Sequence, residues 1–406
     1  MTIRVLRKED LAAYGAICRY AFAMSESYTD VYTKWVQRQL KYTRGAFDGN
    51  RLVAGMWYYP YQMRVGTELI GTGGVAAVAT RPEARNGGLV RQMMLSSHRQ
   101  MRDEGYPLAA LMPFKNSFYA AMGYADAFMH REYHFTPAHL APVTGAKGMS
   151  VLPVDGAANW EVLEALRQRC GAARTGTVRR DAAYWDVRYF KSWQGIRNVY
   201  LIQATGSRKR LSTPMGFLVT TLSTEEGFGK VRLRVSDAGW LNNDALAAIL
   251  RFLRSHRDQV KTVQWFTPAD VDLFPWFSDP GIECNLRVKM MLKLVDLAGA
   301  LEKRTFPAGL NDSLHLQIDG DSTSPWNTGD WRVDWEAGQA RVKKVKANSR
   351  KIASASCDIQ TLAVLYSGLR TASTLREEGR LSVSDKAMTT LEQAFPSACP
   401  HMEEWF

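Results

Sequence analysis

The sequence predicts a mixed α/β protein built from two or three domains, and three observations support that prediction. The chain has 406 residues, which is enough for that number of domains. Residues 74–112 have the pattern of a strand, a helix and a second strand, the order of a parallel unit. Residues 199–266 show a related order, in which strands precede a helix and a further strand. We therefore expect two similar folds in tandem, followed by a third segment.

The composition favours an ordinary globular protein without metal or disulfides. Hydrophobic residues make up 46% of the chain and charged residues 23%. The five cysteines are scattered, odd in number and without a C-x-x-C pair, which argues against a disulfide framework and a structural zinc site. His130 and His134 are four residues apart but lie in a predicted strand, where that spacing does not form a helical ligand pair. We expect no metal.

The ends and the charge of the chain restrict its location and partners. The first residues have the pattern of a strand rather than a signal peptide, and no apolar run approaches the roughly 20 residues of a membrane span. These features predict a cytoplasmic protein without a membrane partner. The net charge of +12 raises the alternative of a nucleic-acid ligand. The charge is spread, however, and the densest cluster, at 341–346, alternates with valine like a solvated strand. We expect no nucleic-acid partner.

The residues before 74 are predicted to form the first strands and the first helix of the first domain. A strand is predicted at 3–6, and a helix follows that opens with acidic residues. Residues 20–39 are aromatic and mixed in charge. Residues 43–57 and 59–69 alternate apolar and polar side chains, which is typical of antiparallel strands.

The most informative stretch runs from Gly74 to Tyr124. Its Val-rich start predicts a strand that ends before Pro82, and a basic turn with two glycines follows at 85–88. Apolar side chains then recur at helical spacing as far as Gly105, which fits a C-terminal cap; they are Leu89, Val90, Met93, Met94 and Met101. The turn therefore lies at a helix N-terminus, where free backbone amides and the helix dipole favour an anion.

The remaining elements complete the predicted organisation. A closing strand is expected at 128–135, and the proline-containing segment 136–147 is a suitable boundary. In the second segment, strands are expected at 199–203, 215–222 and 230–238, an amphipathic helix at 242–256 and a strand at 260–266. No basic glycine turn like the one at 85–88 precedes that helix. In the third segment, strands are expected at 290–294, 313–318, 331–336 and 339–345, and helices at 296–303, 358–368 and 371–378.

The basic turn resembles a known pattern. Arg85-x-x-Gly88 is similar to the pyrophosphate-binding R/Q-x-x-G-x-G/A signature of the GCN5-related N-acetyltransferases, although Val90 stands where Gly or Ala is usual. The segment around the turn, VAAVATRPEARNGGLVRQMM, and the two that follow, GYPLAALMP and FYAAMGYA, together resemble the Eis-type (enhanced intracellular survival) members of that family. The segment DIQTLAVLYSGLRTASTLREEGRL resembles the end of the sterol-carrier-like domain that is the third part of such chains.

The resemblance implies a domain organisation and a cofactor. It implies a catalytic acetyltransferase domain at 1–142, a degenerate second acetyltransferase-like domain at 143–288 and a sterol-carrier-like domain at 289–406. Acetyl-coenzyme A is then the acetyl donor, and no coenzyme is assigned to the second domain. We expect the coenzyme to contact the strand edge at Val78, Ala79 and Thr80, and the turn and helix start at Arg85, Asn86, Gly87, Gly88, Val90 and Arg91. A solvated helix face is the alternative interpretation of Arg91.

The resemblance also identifies two residues for the chemistry. Tyr119 matches the tyrosine of the family's motif, where its phenol protonates the departing thiolate. The family ends in phenylalanine, whose free carboxylate serves as the base, and this chain ends in Phe406. A half-buried core residue is the alternative for Tyr119, and simple packing is the alternative for Phe406. Tyr124 is interpreted as structural.

The acceptor is an amine in this interpretation. Glu26, Asp30, Trp35 and Glu404 are candidates for a pocket that attracts a polyamine, although each acid is also consistent with a surface charge. The family accepts aminoglycosides and other multi-amine compounds and forms hexamers, so both properties are implied here. Two alternatives stay open: a non-catalytic sensor that binds coenzyme or lipid, and an acetyltransferase that acts on protein lysines.

Overall fold

The computed structural model describes residues 1–142, 148–190, 196–205, 213–224, 231–346 and 353–404. The strands are β1 Thr2–Arg4, β2 Thr43–Asp48, β3 Arg51–Val65, β4 Glu68–Thr80, β5 Leu108–Leu111, β6 Ala125–Phe135, β7 Met149–Val154, β8 Val178–Arg179, β9 Asn198–Ala204, β10 Gly216–Thr224, β11 Val231–Trp240, β12 Val260–Pro268, β13 Glu283–Leu294, β14 Asp312–Ile318, β15 Gly329–Glu336, β16 Gln339–Lys344, β17 Ala353–Cys357 and β18 Ser382–Val383. The helices are α1 Leu11–Phe22, α2 Glu26–Gln37, α3 Leu89–Asp103, α4 Asn116–Ala120, α5 Trp160–Cys170, α6 Asn243–Arg254, α7 Leu297–Glu302, α8 Ile359–Ser367, α9 Ala372–Glu377 and α10 Asp385–Ala394.

The chain forms two compact units, and each is built from segments that are separated in the sequence. The first contains residues 1–128, 174–178 and 289–406, and the second contains residues 129–173 and 179–288. The first and last thirds of the chain therefore belong to one compact unit. The predicted boundaries at 142 and 288 stay predictions.

In the first unit, strands β1 to β5 lie side by side in chain order, and the end of β13 pairs with β5. The pairing of β4 with β5 is parallel, and it joins Thr72–Gly74 to Leu108–Ala110. This confirms the predicted strand–helix–strand unit. Helix α3 buries Leu89, Met93, Met94 and Met101 against this sheet. Strands β14 to β18 form a second sheet, in the order β16-β15-β14-β17-β18.

The antiparallel strands predicted for residues 43–57 and 59–69 are present, because β2 pairs with β3 and β3 pairs with β4 in antiparallel fashion. The strand boundaries, however, do not coincide with the bounds of those two segments. Strand β3 instead runs through Trp57, Tyr58 and Pro60 without a break, and the chain turns at 66–67 before β4. Long twisted hairpins carry the same period-two pattern as short ones, so alternation alone does not locate the turn.

The second unit has a sheet in the order β6-β12-β11-β10-β9-β7. Strands β11 and β12 are parallel, and α6 connects them. The helix buries Leu246, Ile249, Leu250 and Leu253. This arrangement confirms the predicted order of strands, helix and strand.

Candidate functional site

The turn before α3 presents a row of free backbone donors. From Asn86 to Arg91, no backbone N–H donates to a group within the described part of the chain, and the first helical bond runs from the Gln92 N–H to the Gly88 carbonyl at 3.2 Å. No side chain caps the helix at Gly88. Asn86 and Gly88 have φ angles of 65° and 70°, so both lie in the left-handed region of backbone conformation. Such a row of amides is suited to an anion with several oxygens.

The side chains around this turn add positive charge without closing it. Arg85 and Arg91 are exposed, and Val90 is half-buried. A Cβ atom built on Gly87 has no neighbour closer than the Ala84 carbonyl oxygen at 3.8 Å, and one on Gly88 has none within 4 Å. The space above both glycines is therefore open, so a ligand can reach the backbone.

The end of strand β4 that leads to this turn has one edge that is not paired with β5. Beyond Gly74 it no longer pairs with β5, so the edge from Val75 to Thr80 is free of that neighbour. The strand also carries an irregularity, because Ala77 has a φ of 45° and the register with β3 shifts there. The Tyr14 hydroxyl donates to the Ala77 carbonyl at 2.8 Å and holds the irregularity. Ala79 is buried, whereas Val78 and Thr80 are half-buried on the open edge.

Tyr119 lies in the short helix α4 and is 4% exposed. Phe114, Phe118 and Tyr124 surround its ring at centroid distances of 5.6, 5.1 and 6.1 Å. Burial raises the pKa of its phenol above the ordinary value, since the charged phenolate is poorly solvated there. Its hydroxyl forms no hydrogen bond within the described residues, so its proton is not committed to a neighbour.

The last described residues are buried in the first unit. His401, Met402 and Glu404 are 8%, 1% and 0% exposed. The His401 N–H donates to the Thr175 carbonyl at 2.9 Å, and Gly176 in turn donates to the Arg64 carbonyl of β3 at 2.9 Å. The tail is thus fixed by backbone hydrogen bonds rather than frayed. Phe406, the predicted base, lies outside the described residues.

The predicted acceptor residues lie in different surroundings. Glu26 and Asp30 are exposed on α2, and Glu26 pairs with Arg19 at 3.4 Å. Trp35 lies on the buried side of the same helix and stacks on Tyr59 at 5.5 Å. Glu404 is fully buried. Along α2, therefore, the two acids and the tryptophan do not share one surface.

A row of aromatic side chains on β3, next to Trp35, was not predicted from the sequence. Trp57, Tyr59 and Tyr61 project from one face of β3, and their ring centroids are 6.1 and 4.2 Å apart in succession. Tyr32 of α2 accepts a hydrogen bond from the Trp57 indole. Their i, i+2, i+4 spacing is the signal that identifies one face of a strand.

A buried ion pair lies behind the Tyr119 segment. The Lys293 ammonium donates to both Asp321 carboxylate oxygens at 2.7 Å, and both side chains are 0% exposed. Burial lowers the pKa of Lys293, and the Asp321 charge opposes that shift. The carboxylate also accepts from the Thr323 and Ser324 N–H groups and from the Asn327 amide.

Replacing Asp321 with alanine is expected to destabilise the fold by about 3–5 kcal/mol, because Lys293 is then buried without a counter-charge. Urea unfolding of the purified variant measures this change. The double variant Lys293→Met/Asp321→Leu removes both charges and should recover much of the lost stability. An Asp321→Ala variant within 1 kcal/mol of wild type contradicts this account of the pair.

His98 belongs to the same buried group. Its Nδ1 lies 3.2 Å from the Thr323 carbonyl, which only accepts, so Nδ1 carries the proton and Nε2 accepts from the Tyr124 hydroxyl at 3.0 Å. Burial, reinforced by Lys293, lowers the pKa of His98 well below the ordinary value. The imidazole is therefore neutral and structural rather than a base for an external substrate.

The second unit has no equivalent of the α3 turn. Asn242 caps α6 by accepting the Ala245 N–H at 2.9 Å, and Asp244 places a negative charge in the first turn. The occupied cap and the negative charge both disfavour the binding of an anion at the start of α6.

The described residues contain neither a metal-binding cluster nor a membrane-spanning helix. No group of three or more His, Cys, Asp or Glu side chains there has the arrangement of a metal site. No helix in the same residues has the length and apolar character needed to cross a bilayer.

Three family models match the chain. Two of them, both described as an acetyltransferase (GNAT) domain, match residues 2–127 and 176–294. A third, described as a sterol carrier protein domain, matches residues 297–403. The predicted architecture of two acetyltransferase folds and a sterol-carrier-like domain is thereby confirmed.

Known proteins match along nearly the whole chain. The N-acetyltransferase Eis of Mycobacterium tuberculosis is 26% identical over 371 residues, which cover 88% of this chain and 86% of that protein. A solved structure from Enterococcus faecalis, described as a probable N-acyltransferase, superposes with a TM-score of 0.88 at 24% identity, over 100% of this chain and 99% of the other. Eis1 from Mycobacterium abscessus gives a TM-score of 0.79 at 20% identity, with both chains fully covered. At these identities the two solved structures establish the fold.

Proposed function

The chain belongs to the Eis-type GCN5-related N-acetyltransferases, and from that premise we propose that it moves the acetyl group of acetyl-coenzyme A directly to an amine of a small polyamine-type acceptor. The observation that carries the proposal is the uncapped row of N–H groups from Asn86 to Arg91. It fits the diphosphate of the coenzyme, and the exposed Arg85 and Arg91 add two positive charges at the same place. The open edge at Val78–Thr80 fits the amide-containing arm.

The chain's own residues then supply the proton transfers. The Phe406 carboxylate takes a proton from the acceptor amine, either directly or through water. The freed amine attacks the thioester carbonyl, and the Tyr119 phenol gives its proton to the sulfur as the carbon–sulfur bond breaks. The proton that the acetylated nitrogen still carries passes through water to the phenolate, and the Phe406 carboxyl returns its proton to solvent. The products are an acetylated amine and free coenzyme A. A terminal carboxyl has an ordinary pKa of about 3.3–3.7, so it acts as a base only where the surroundings desolvate or position it. The burial of His401, Met402 and Glu404 supports such surroundings.

Acidic side chains support the choice of acceptor. Glu26 and Asp30 lie on the exposed side of α2. A compound with several ammonium groups gains from such charges, whereas a neutral amine does not. Aminoglycosides belong to the same class of acceptor, and we include them in the proposal. The family resemblance also supports a homo-hexamer and a cytoplasmic location, and light scattering of the purified protein tests the former.

The test is release of coenzyme A thiol from acetyl-coenzyme A with a panel of amines. Spermidine, an aminoglycoside and a lysine-containing peptide represent the three acceptor classes. We expect turnover with the first two and little with the peptide. Preference for the peptide would favour an acetyltransferase of protein lysines. Tight coenzyme binding without turnover of any amine would favour a sensor.

Replacing Gly87 with alanine is expected to raise the Kd for coenzyme A about tenfold or more, because the methyl group occupies the space above the amide row. The free protein should fold normally, since that methyl group meets nothing closer than 3.8 Å. Titration calorimetry measures the change. Gly309→Ala is the matched control, as it is another exposed glycine with open space around it. Equal affinity in both variants would argue against coenzyme at this turn.

A further inference from the structure

The helix that carries Tyr119 is held from the C-terminal segment of the chain by three side chains. The Gln360 amide donates to the Ala120 carbonyl at 2.9 Å, and the Ser322 hydroxyl donates to the Ala121 carbonyl at 2.9 Å. The Thr323 hydroxyl donates to the Met122 carbonyl at 2.7 Å. Three successive carbonyls directly after Tyr119 are therefore bonded to residues about 200 or more positions away.

Helix α4 depends on such support. It has five residues, far fewer than the roughly 12–15 that an isolated helix needs in water. The turn that follows it contains Gly123, whose φ of 85° permits hydrogen bonds from the Gly123 and Tyr124 N–H groups to the Ala120 and Tyr119 carbonyls. The next carbonyls, of Ala121 and Met122, point beyond the helix and need an outside donor.

The donors themselves are fixed by the buried ion pair. The Asp321 carboxylate accepts from the N–H groups of Thr323 and Ser324 as well as from Lys293, so the loop that carries Ser322 and Thr323 is held by the ion pair. Gly123 lies directly on this pair, since a Cβ atom there is 2.5 Å from the Lys293 ammonium and 3.2 Å from Asp321. The Thr323 carbonyl meanwhile accepts from His98, which bonds to Tyr124.

We propose that Thr323, together with Ser322 and Gln360, is a positioning residue that sets the place of the Tyr119 phenol, so that the sterol-carrier-like segment serves the acetyl transfer as a scaffold for this tyrosine. The inference rests on the proposed function, in which Tyr119 is the acid. Its hydroxyl has no hydrogen bond of its own among the described residues, so the backbone of α4 and ring packing alone determine where it lies. A small displacement of a catalytic group lowers the rate without preventing binding.

The test uses Thr323→Val, which removes the hydroxyl and keeps the shape. We expect kcat to fall about tenfold, which corresponds to about 1.4 kcal/mol of transition-state stabilisation, while KM for acetyl-coenzyme A changes less than about twofold. Thr323→Ser restores the donor and should restore kcat. Thr390→Val is the matched control, because its buried hydroxyl bonds to Asp312 at 2.6 Å in the same sterol-carrier-like segment and makes no bond to α4. It should lower Tm comparably and leave kcat unchanged.

A double-mutant cycle separates positioning from general stability. In a Tyr119→Phe background, Thr323→Val should cause no further loss of kcat, because there is no phenol left to position. An additive loss would overturn the inference, and so would a wild-type kcat in Thr323→Val. If Tyr119→Phe itself kept full activity, the proposed acid would be wrong and the inference would fall with it. If kcat fell strongly in Tyr119→Phe but not in Thr323→Val, the positioning role of Thr323 would be rejected and the role of Tyr119 as the acid would stand.

Discussion

Tyr119→Phe is expected to lower kcat by about 100- to 10,000-fold with an unchanged fold, because general-acid assistance to the departing thiolate is lost. The ring stays, so its contacts with Phe114, Phe118 and Tyr124 stay as well. Steady-state kinetics of thiol release measure the effect. In the wild-type enzyme, burial raises the pKa of this phenol above the ordinary tyrosine value of about 10. The active, protonated form therefore persists at alkaline pH, and kcat should not fall through loss of this proton below about pH 10.

Tyr366→Phe is the matched control for that experiment. Tyr366 is fully buried like Tyr119, but its hydroxyl donates to the Ala300 carbonyl at 3.1 Å, away from α4. Its loss should cost about 1 kcal/mol of stability and no activity. A Tyr119→Phe variant as active as Tyr366→Phe contradicts the assignment of Tyr119 as the acid.

A one-residue extension beyond Phe406 is expected to lower kcat about 100-fold or more. The added residue moves the terminal carboxylate by roughly 3.8 Å, and a shift of 1 Å in a reacting group can already cost about 100-fold. The change keeps every side chain of the native protein, including the buried Met402 and Glu404. Thiol release at saturating amine measures it. Full activity in the extended chain would mean that Phe406 only packs.

Gly176→Ala tests the same claim from inside the fold. A Cβ atom at Gly176 lies 2.2 Å from the His401 carbonyl oxygen, and the φ of 113° disfavours any side chain there. The tail must therefore shift, and kcat should fall as it does in the extended chain. Gly379→Ala, with a φ of 72° and open space, is the matched control for backbone strain alone. A loss of kcat as large in Gly379→Ala would show that strain, not tail position, is measured.

The sequence predicted the parts of the fold that depend on short-range patterns. The apolar spacing of α3, the glycine turn at its start and the strands on either side all carry local signals, and the structure has them in the predicted places. The family resemblance predicted the architecture. The turn between β3 and β4 was not located, because the alternation in Arg51–Val65 continues through Pro60 and contains no internal stop.

The parts that were missed depend on contacts between distant residues. Lys293 and Asp321 were indistinguishable from surface charges, since nothing near either one shows that both are buried against Gly123. The bonds from Ser322 and Thr323 to α4 span 201 residues each. Trp35 was assigned to the acceptor pocket, but only the structure shows its stack on Tyr59. The proposed base, Phe406, was named only through the family resemblance.

The most direct test of the account is an initial-rate study of thiol release in which acetyl-coenzyme A and the best amine of the panel are both varied. Direct transfer requires both substrates to be bound together, so double-reciprocal plots should intersect, and the release of thiol should depend on the amine. Parallel lines, with a protein that gains the mass of an acetyl group in the absence of amine, indicate a covalent acetyl-enzyme and would contradict the proposed direct transfer.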